Sequence, residues 1–127
     1  MKSNFEDLEI FKLAEKLSDI IWEMVIKWEP FPKNTIGIQL VGAADGVGSN
    51  IAEGSGKGSF IDFRRYIKIS RGSLYETKYW LRRSYARKLI SNKEINNIKP
   101  ILDELLPKIN AFKKYLDKQI RNKKKID

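Results

Sequence analysis

The sequence predicts an all-α protein, an antiparallel up-and-down four-helix bundle. Apolar residues recur at three- and four-residue steps in four separate segments, and the connections between those segments are short. No stretch alternates with the two-residue period of a strand, and no internal repeat is present. At 127 residues the chain has the size of one domain. The bundle is expected over residues 1–120, with residues 121–127, including Lys123-Lys124-Lys125, a basic disordered tail.

The first helix is read from Ile10, Ala14, Leu17, Ile21, Met24 and Trp28, and it ends before Pro30-Phe31-Pro32. Asn34 or Thr35 can cap the second, whose inward stripe is Ile36, Leu40, Ala43 or Ala44, Val47 and Ile51. Its glycines, Gly37, Gly42, Gly46 and Gly48, each cost a helix about 1 kcal/mol relative to Ala. Gly42, Gly46 and Ser49 share a face on which another helix can approach closely, with Ser70 and Ser73 opposite. Gly54 to Gly58 breaks the segment. Ser59 with Asp62 resembles a capping box and opens a third helix reaching about Lys88, with Phe63, Tyr66, Ser70, Leu74, Thr77, Leu81 and Ser84 inward. A second box, Ser91 with Glu94, opens the fourth, where Ile95, Ile98, Leu102, Leu105 or Leu106, Ile109, Phe112 and Leu116 face the core. Pro100 and Pro107 are expected to kink or break it.

Composition narrows the chemistry. The chain has neither cysteine nor histidine, which removes disulfides, thiolate ligands, cysteine nucleophiles and imidazole catalysis. No enzyme, cofactor or metal site is expected. No charged and apolar leader or eighteen-residue apolar run is present, so a cytoplasmic location without membrane contact is expected. The net charge of +9 is unevenly spread: residues 1–54 carry five basic and nine acidic groups (5 − 9 = −4), residues 55–127 twenty and seven (20 − 7 = +13). Such a polycationic half suits RNA or DNA, or head-to-tail contact with an acidic half.

Two blocks, Ser49-Asn50-Ile51-Ala52-Glu53-Gly54 and Arg71-Gly72-Ser73-Leu74-Tyr75-Glu76-Thr77, stand out, together with Gln39 and the opening Phe5-Glu6-Asp7-Leu8. From Phe5 to about Leu89 this pattern resembles the bacterial four helix bundle protein family, also called the 23S rRNA intervening sequence proteins. Their relatives include the accessory variability determinant of diversity-generating retroelements. The resemblance implies a non-enzymatic helical bundle that associates with nucleic acid and assembles as a ring-shaped homopentamer. The chain departs from the family's Gln-Ile-Arg-Arg-Ala, reading Gln39-Leu40-Val41-Gly42-Ala43, and from its Pro at Gly48. Any contact made by those arginines is lost here, which shifts expectation to the third helix.

There, Arg64, Lys68, Arg71, Tyr75, Lys78 and Arg82 advance by four, three, four, three and four along one face, with no acidic residue among them, and Arg83 and Arg87 widen it. Cations spaced along a rod meet phosphates, and exposed tyrosines stack on unpaired bases, so these eight residues form the expected nucleic-acid surface. Asn50, Glu53, Arg71 and Glu76 are expected to form a structural polar network rather than a catalytic pair. The loop Gly54-Ser55-Gly56-Lys57-Gly58-Ser59 is no phosphate-binding loop, because Ile51 and Gly58 break the pattern. Leu8, Phe11, Trp22 and Ile26 form a second apolar strip on the first helix, assigned to a subunit interface. The alternative function is a protein-interaction scaffold without nucleic-acid binding.

Overall fold

A computed structural model describes residues 4–126, and every regular element among them is helical. A 3₁₀ turn at Phe5–Asp7, capped by the Asn4 side chain, leads into α1 (Glu9–Val25). Then follow α2 (Pro30–Asn34), α3 (Ile36–Ser55), α4 (Phe60–Ala86) and α5 (Asn92–Ile126). α3 packs against α1 and α4, and α5 closes the ring by packing against α4 and α1. The central residues are the predicted stripes: Leu17, Ile21, Leu40, Val47, Ile51, Leu74, Ile98, Leu105, Ile109 and Leu116 are fully buried. In α4 the fully buried position near the amino end is Ile67, with Phe63 and Tyr66 half-buried beside it.

The α3–α4 contact is close because small residues face each other. A Cβ on Gly46 would lie 2.9 Å from Ser73 Oγ, and one on Gly54 would lie 2.6 Å from Tyr66 Cβ. Gly37 is held in the same way against Val25 of α1, at 2.7 Å. Gly42, expected on the close-packed face, instead points into open space. Ser70, Thr77 and Ser84 recur every seven residues along the buried side of α4, and each hydroxyl is satisfied by a backbone carbonyl. Ser70 reaches across to Val47 O at 2.6 Å, while Thr77 and Ser84 donate to Ser73 O and Trp80 O within their own helix.

Both boxes form. Ser59 Oγ accepts from Asp62 N and donates to Asp62 Oδ2, and Ser91 and Glu94 bond reciprocally at 2.9 and 3.1 Å. The first helix ends before Pro30-Phe31-Pro32 as expected, but those residues start a further short helix, α2, with Pro30 at the first helical position where its missing donor is harmless. Two expectations are corrected. Thr35 precedes α3 without capping it, its hydroxyl donating back to Phe31 O at 2.8 Å. α5 runs unbroken through Pro100 and Pro107 and on through the expected tail at 121–127 as far as Ile126, Asp127 lying outside the described residues. The two prolines are seven residues apart and both exposed, and Asn96 and Asp103, whose carbonyls lose their donors, are exposed as well. Water can therefore replace the missing bonds.

α4 ends in a Schellman arrangement. Leu89 N donates to Ser84 O at 2.9 Å and Lys88 N to Tyr85 O at 3.0 Å. Lys88 occupies the left-handed position with φ 61°, where glycine is the usual occupant. The reversal sets Arg87 and Leu89 on either side of it.

Candidate nucleic-acid interface

α4 displays its cations because its other side is consumed by the core. From Phe63 to Lys88 there are nine basic residues and one acid, Glu76. Lys68, Tyr75, Arg82 and Arg87 are exposed, and Lys78 and Arg83 are half-buried. Lys78 Nζ lies 5.7 Å from the centre of the Tyr75 ring, a cation–π contact one turn apart on the helix. Among the described residues no carboxylate lies within ion-pair distance of Lys68, Lys78, Arg82, Arg83 or Arg87.

The two remaining arginines of the predicted face are turned to α5. Arg64 pairs with Asp117 at 2.9 Å, and Arg71 Nη1 donates to Asn110 Oδ1 at 2.9 Å. Asp117 also accepts Lys113 at 2.9 Å, and Lys113 first and Arg64 second hold its carboxyl below the usual carboxylate range. The acid that answers the stripe thus comes from 53 residues along the chain. Its sequence signal was a single aspartate in the otherwise basic end of α5. The Arg64–Asp117 and Tyr85–Asn92 contacts run in opposite chain directions and bring Lys114, Lys118 and Arg121, all exposed, to the amino end of α4. These three extend the basic surface beyond the residues singled out from the sequence.

The expected polar network is not assembled. Asn50 Nδ2 donates to Gly46 O at 2.7 Å, Glu53 sits 3.6 Å from Lys57, Glu76 accepts from Trp80 Nε1 at 3.2 Å, and Arg71 is held by Asn110. Asn50, Glu53 and Glu76 each take a partner four residues away, whose spacing the helix has already fixed, and Arg71 alone reaches another helix. Asn50 and Glu76 do stay with the helices of their blocks, but the four side chains share no bond. Among the described residues no group of acidic side chains is placed to hold a metal ion.

The apolar strip on α1 divides. Leu8 and Phe11 pack against the core, Phe11 edge-on to Phe5 with ring centres 4.9 Å apart and in contact with the Gly48 face. Trp22 and Ile26 remain 53% and 43% exposed. Phe31 on α2 and Ile38 on α3 are exposed as well, and the sequence did not single them out. On the far side Lys108 bridges Glu9 and Glu104, which raise its ammonium above the ordinary lysine value, Glu104 most. No helix is long and apolar enough to cross a membrane among the described residues.

A solved structure of a protein of unknown function from the S23 ribosomal protein family of Bacteroides thetaiotaomicron VPI-5482 has a similar fold. Its TM-score is 0.73 at 19% identity, covering 83% of this chain and 98% of the other. At that identity the likeness concerns fold alone. No curated protein matches the sequence. The motif blocks on α3 and α4 fall inside a longer match, residues 6–111, to the family model described as 23S rRNA-intervening sequence protein. With most of its length so matched, the chain belongs to the 23S rRNA-intervening sequence protein family.

Proposed function

We propose that this chain is a non-enzymatic, self-associating, antiparallel up-and-down four-helix bundle that binds RNA or DNA with weak sequence specificity. The observation that carries the reading is the row of unanswered cations on α4, Lys68, Lys78, Arg82, Arg83 and Arg87, beside exposed Tyr75. Among the described residues, lysines without an ion-pair partner also occur on α1, Lys12 and Lys16 among them, but there they lie between Glu9, Glu15 and Asp19, whereas the α4 row has one acid, Glu76, between Phe63 and Lys88. A helix that buries its other face in the bundle cannot enter a groove deeply, so contact is mainly to phosphates. The family's name links its members to ribosomal RNA, which favours RNA over DNA. A cytoplasmic location follows from that partner.

The test is the salt dependence of binding. Replacing Lys68, Lys78, Arg82 and Arg83 with Gln should flatten the slope of log affinity against log salt by about 2.8 for single strands, four contacts at about 0.7 each. Arg64→Gln and Arg71→Gln should change it little, since α5 holds both. An unchanged slope in the quadruple variant refutes the assignment.

The exposed apolar residues Trp22 and Ile26, one turn apart at the end of α1, support self-association, and the family resemblance makes a homopentamer the expected ring. The same two residues favour the second reading, a scaffold that docks a protein partner. That reading expects full assembly with no affinity for nucleic acid at any salt concentration.

A further inference from the structure

Between the α2–α3 corner and the carboxyl end of α4 lies a groove of about 710 Å³, lined by Phe31, Gln39, Tyr79, Trp80, Arg87 and Leu89 among others. Its volume is within the roughly 300–1,000 Å³ typical of small-ligand pockets. Phe31 is 78% exposed and Tyr79 53%, and the Tyr79 and Trp80 rings meet edge-to-face with centres 4.9 Å apart. The Trp80 indole is steadied by its bond to Glu76. Arg87 stands at the groove, held at the end of α4 by its backbone bond to Arg83 O. The groove is also continuous with the basic face. Tyr75, Tyr79, Arg83 and Arg87 follow one another at four-residue steps and so lie side by side along α4.

We propose that this groove receives an unpaired nucleobase of a single strand whose phosphates lie on the α4 cations. This deepens the nucleic-acid reading above and rests on it. The chemistry is specific to such an occupant. Flat aromatic faces take a base by stacking and tolerate any base, Arg87 meets the adjoining phosphate, and the Gln39 amide offers both a donor and an acceptor to a base edge. A paired base cannot enter without leaving its duplex, so the groove makes the protein prefer single strands. The charge around the groove favours this occupant over a hydrophobic peptide, since Arg83 and Arg87 lack carboxylate partners among the described residues.

The experiment titrates fluorescein-labelled twelve-nucleotide oligouridine, and a labelled RNA duplex of equal length, with full-length protein at fixed salt. Phe31→Ala and Tyr79→Ala, both at exposed positions, should each weaken oligouridine binding about 5- to 100-fold and leave duplex binding within a factor of two. The Lys78→Gln, Arg82→Gln double variant should weaken both. If the aromatic variants bind oligouridine like the parent while the charge variant still weakens, the groove is overturned and the basic face stands. If the parent binds neither probe, the basic face and the groove fall together. Light scattering run on each variant separates the remaining case. Loss of oligouridine affinity accompanied by a fall in mass would make the groove a contact between copies of the chain, which also overturns the proposal.

Discussion

Substituting glycines along α3 with alanine should give a graded series of stabilities, because the space beside each differs. At Gly42 no atom lies within 4 Å of a would-be Cβ, so Ala brings only its better helix propensity, about 1 kcal/mol. For 127 residues the unfolding entropy is near 0.27 kcal/mol/K, so this raises the melting midpoint by about 4 °C. At Gly46 the new carbon meets Ser73 Oγ at 2.9 Å, but a hydroxyl can rotate away, and gain and loss should nearly cancel. At Gly54 it meets Tyr66 Cβ at 2.6 Å and Phe63 Cδ1 at 3.0 Å, with Phe63 O at 3.4 Å. Carbon contacts are optimal near 3.5–4.0 Å, so α3 and α4 must separate by about 1 Å. Overpacking of that depth falls toward the upper end of the usual range of about 1–3 kcal/mol, and the propensity gain is small in the last turn. A net loss of about 2 kcal/mol, roughly 7 °C, is expected. Thermal denaturation followed by circular dichroism at one protein concentration measures all three. A Gly54→Ala protein as stable as the parent would refute the close α3–α4 approach. A destabilised Gly42→Ala protein would show that this face is covered in solution by another copy.

Other expectations follow from single contacts. Lys88→Gly should stabilise by about 1 kcal/mol, since glycine adopts the left-handed turn without the Cβ penalty; chemical denaturation tests it, and a lower midpoint would refute the strain. Asp117 is held below its ordinary value in the folded chain, so its pairing stabilises above the usual carboxylate pKa and the effect is lost as pH falls through the folded value. The difference in denaturation midpoint between the parent and Asp117→Asn should therefore be constant near neutrality and shrink below about pH 4; a difference unchanged down to pH 2 contradicts this. The same variant frees Arg64 and should steepen the salt slope of binding by about 0.7. Trp22→Ser with Ile26→Ser should lower the assembled mass seen by light scattering, whereas Leu8→Ala should act mainly on stability; a native mass in the double variant removes those two residues from the interface.

The long helices were legible because their burial repeats at helical spacing, and the two capping boxes fixed two of their starts. α2 was not: five residues opening on Pro-Phe-Pro read as a break, and only the neighbouring helices give them a surface to fold against. The continuity of α5 depended on which side its prolines face, which the fourth stripe placed outward but the rule for interior proline overrode. The α4 face was legible as a pattern of charge, and its depletion by Asp117 and Asn110 was not, because pairing across 53 and 39 residues is a property of the packed helices. The polar network failed for the opposite reason, since motif membership was given more weight than the local partners a helix offers to Asn50, Glu53 and Glu76. The groove draws on α2, α3 and α4 at once, so no single segment could announce it.

The glycines and serines between α3 and α4 also govern how the charged face behaves. Gly46 against Ser73, Gly54 against Tyr66 and the Ser70 bond to Val47 lock the two helices in one axial register, and a slide of one turn would break all three at once. α4 is then a fixed ruler. Along it Lys78 and Arg82 are held about 6 Å apart and Lys68 about 15 Å from Lys78. A surface that cannot adjust leaves the bending to its partner, so a pliable strand conforms to the ruler where a stiff double helix touches it only at intervals.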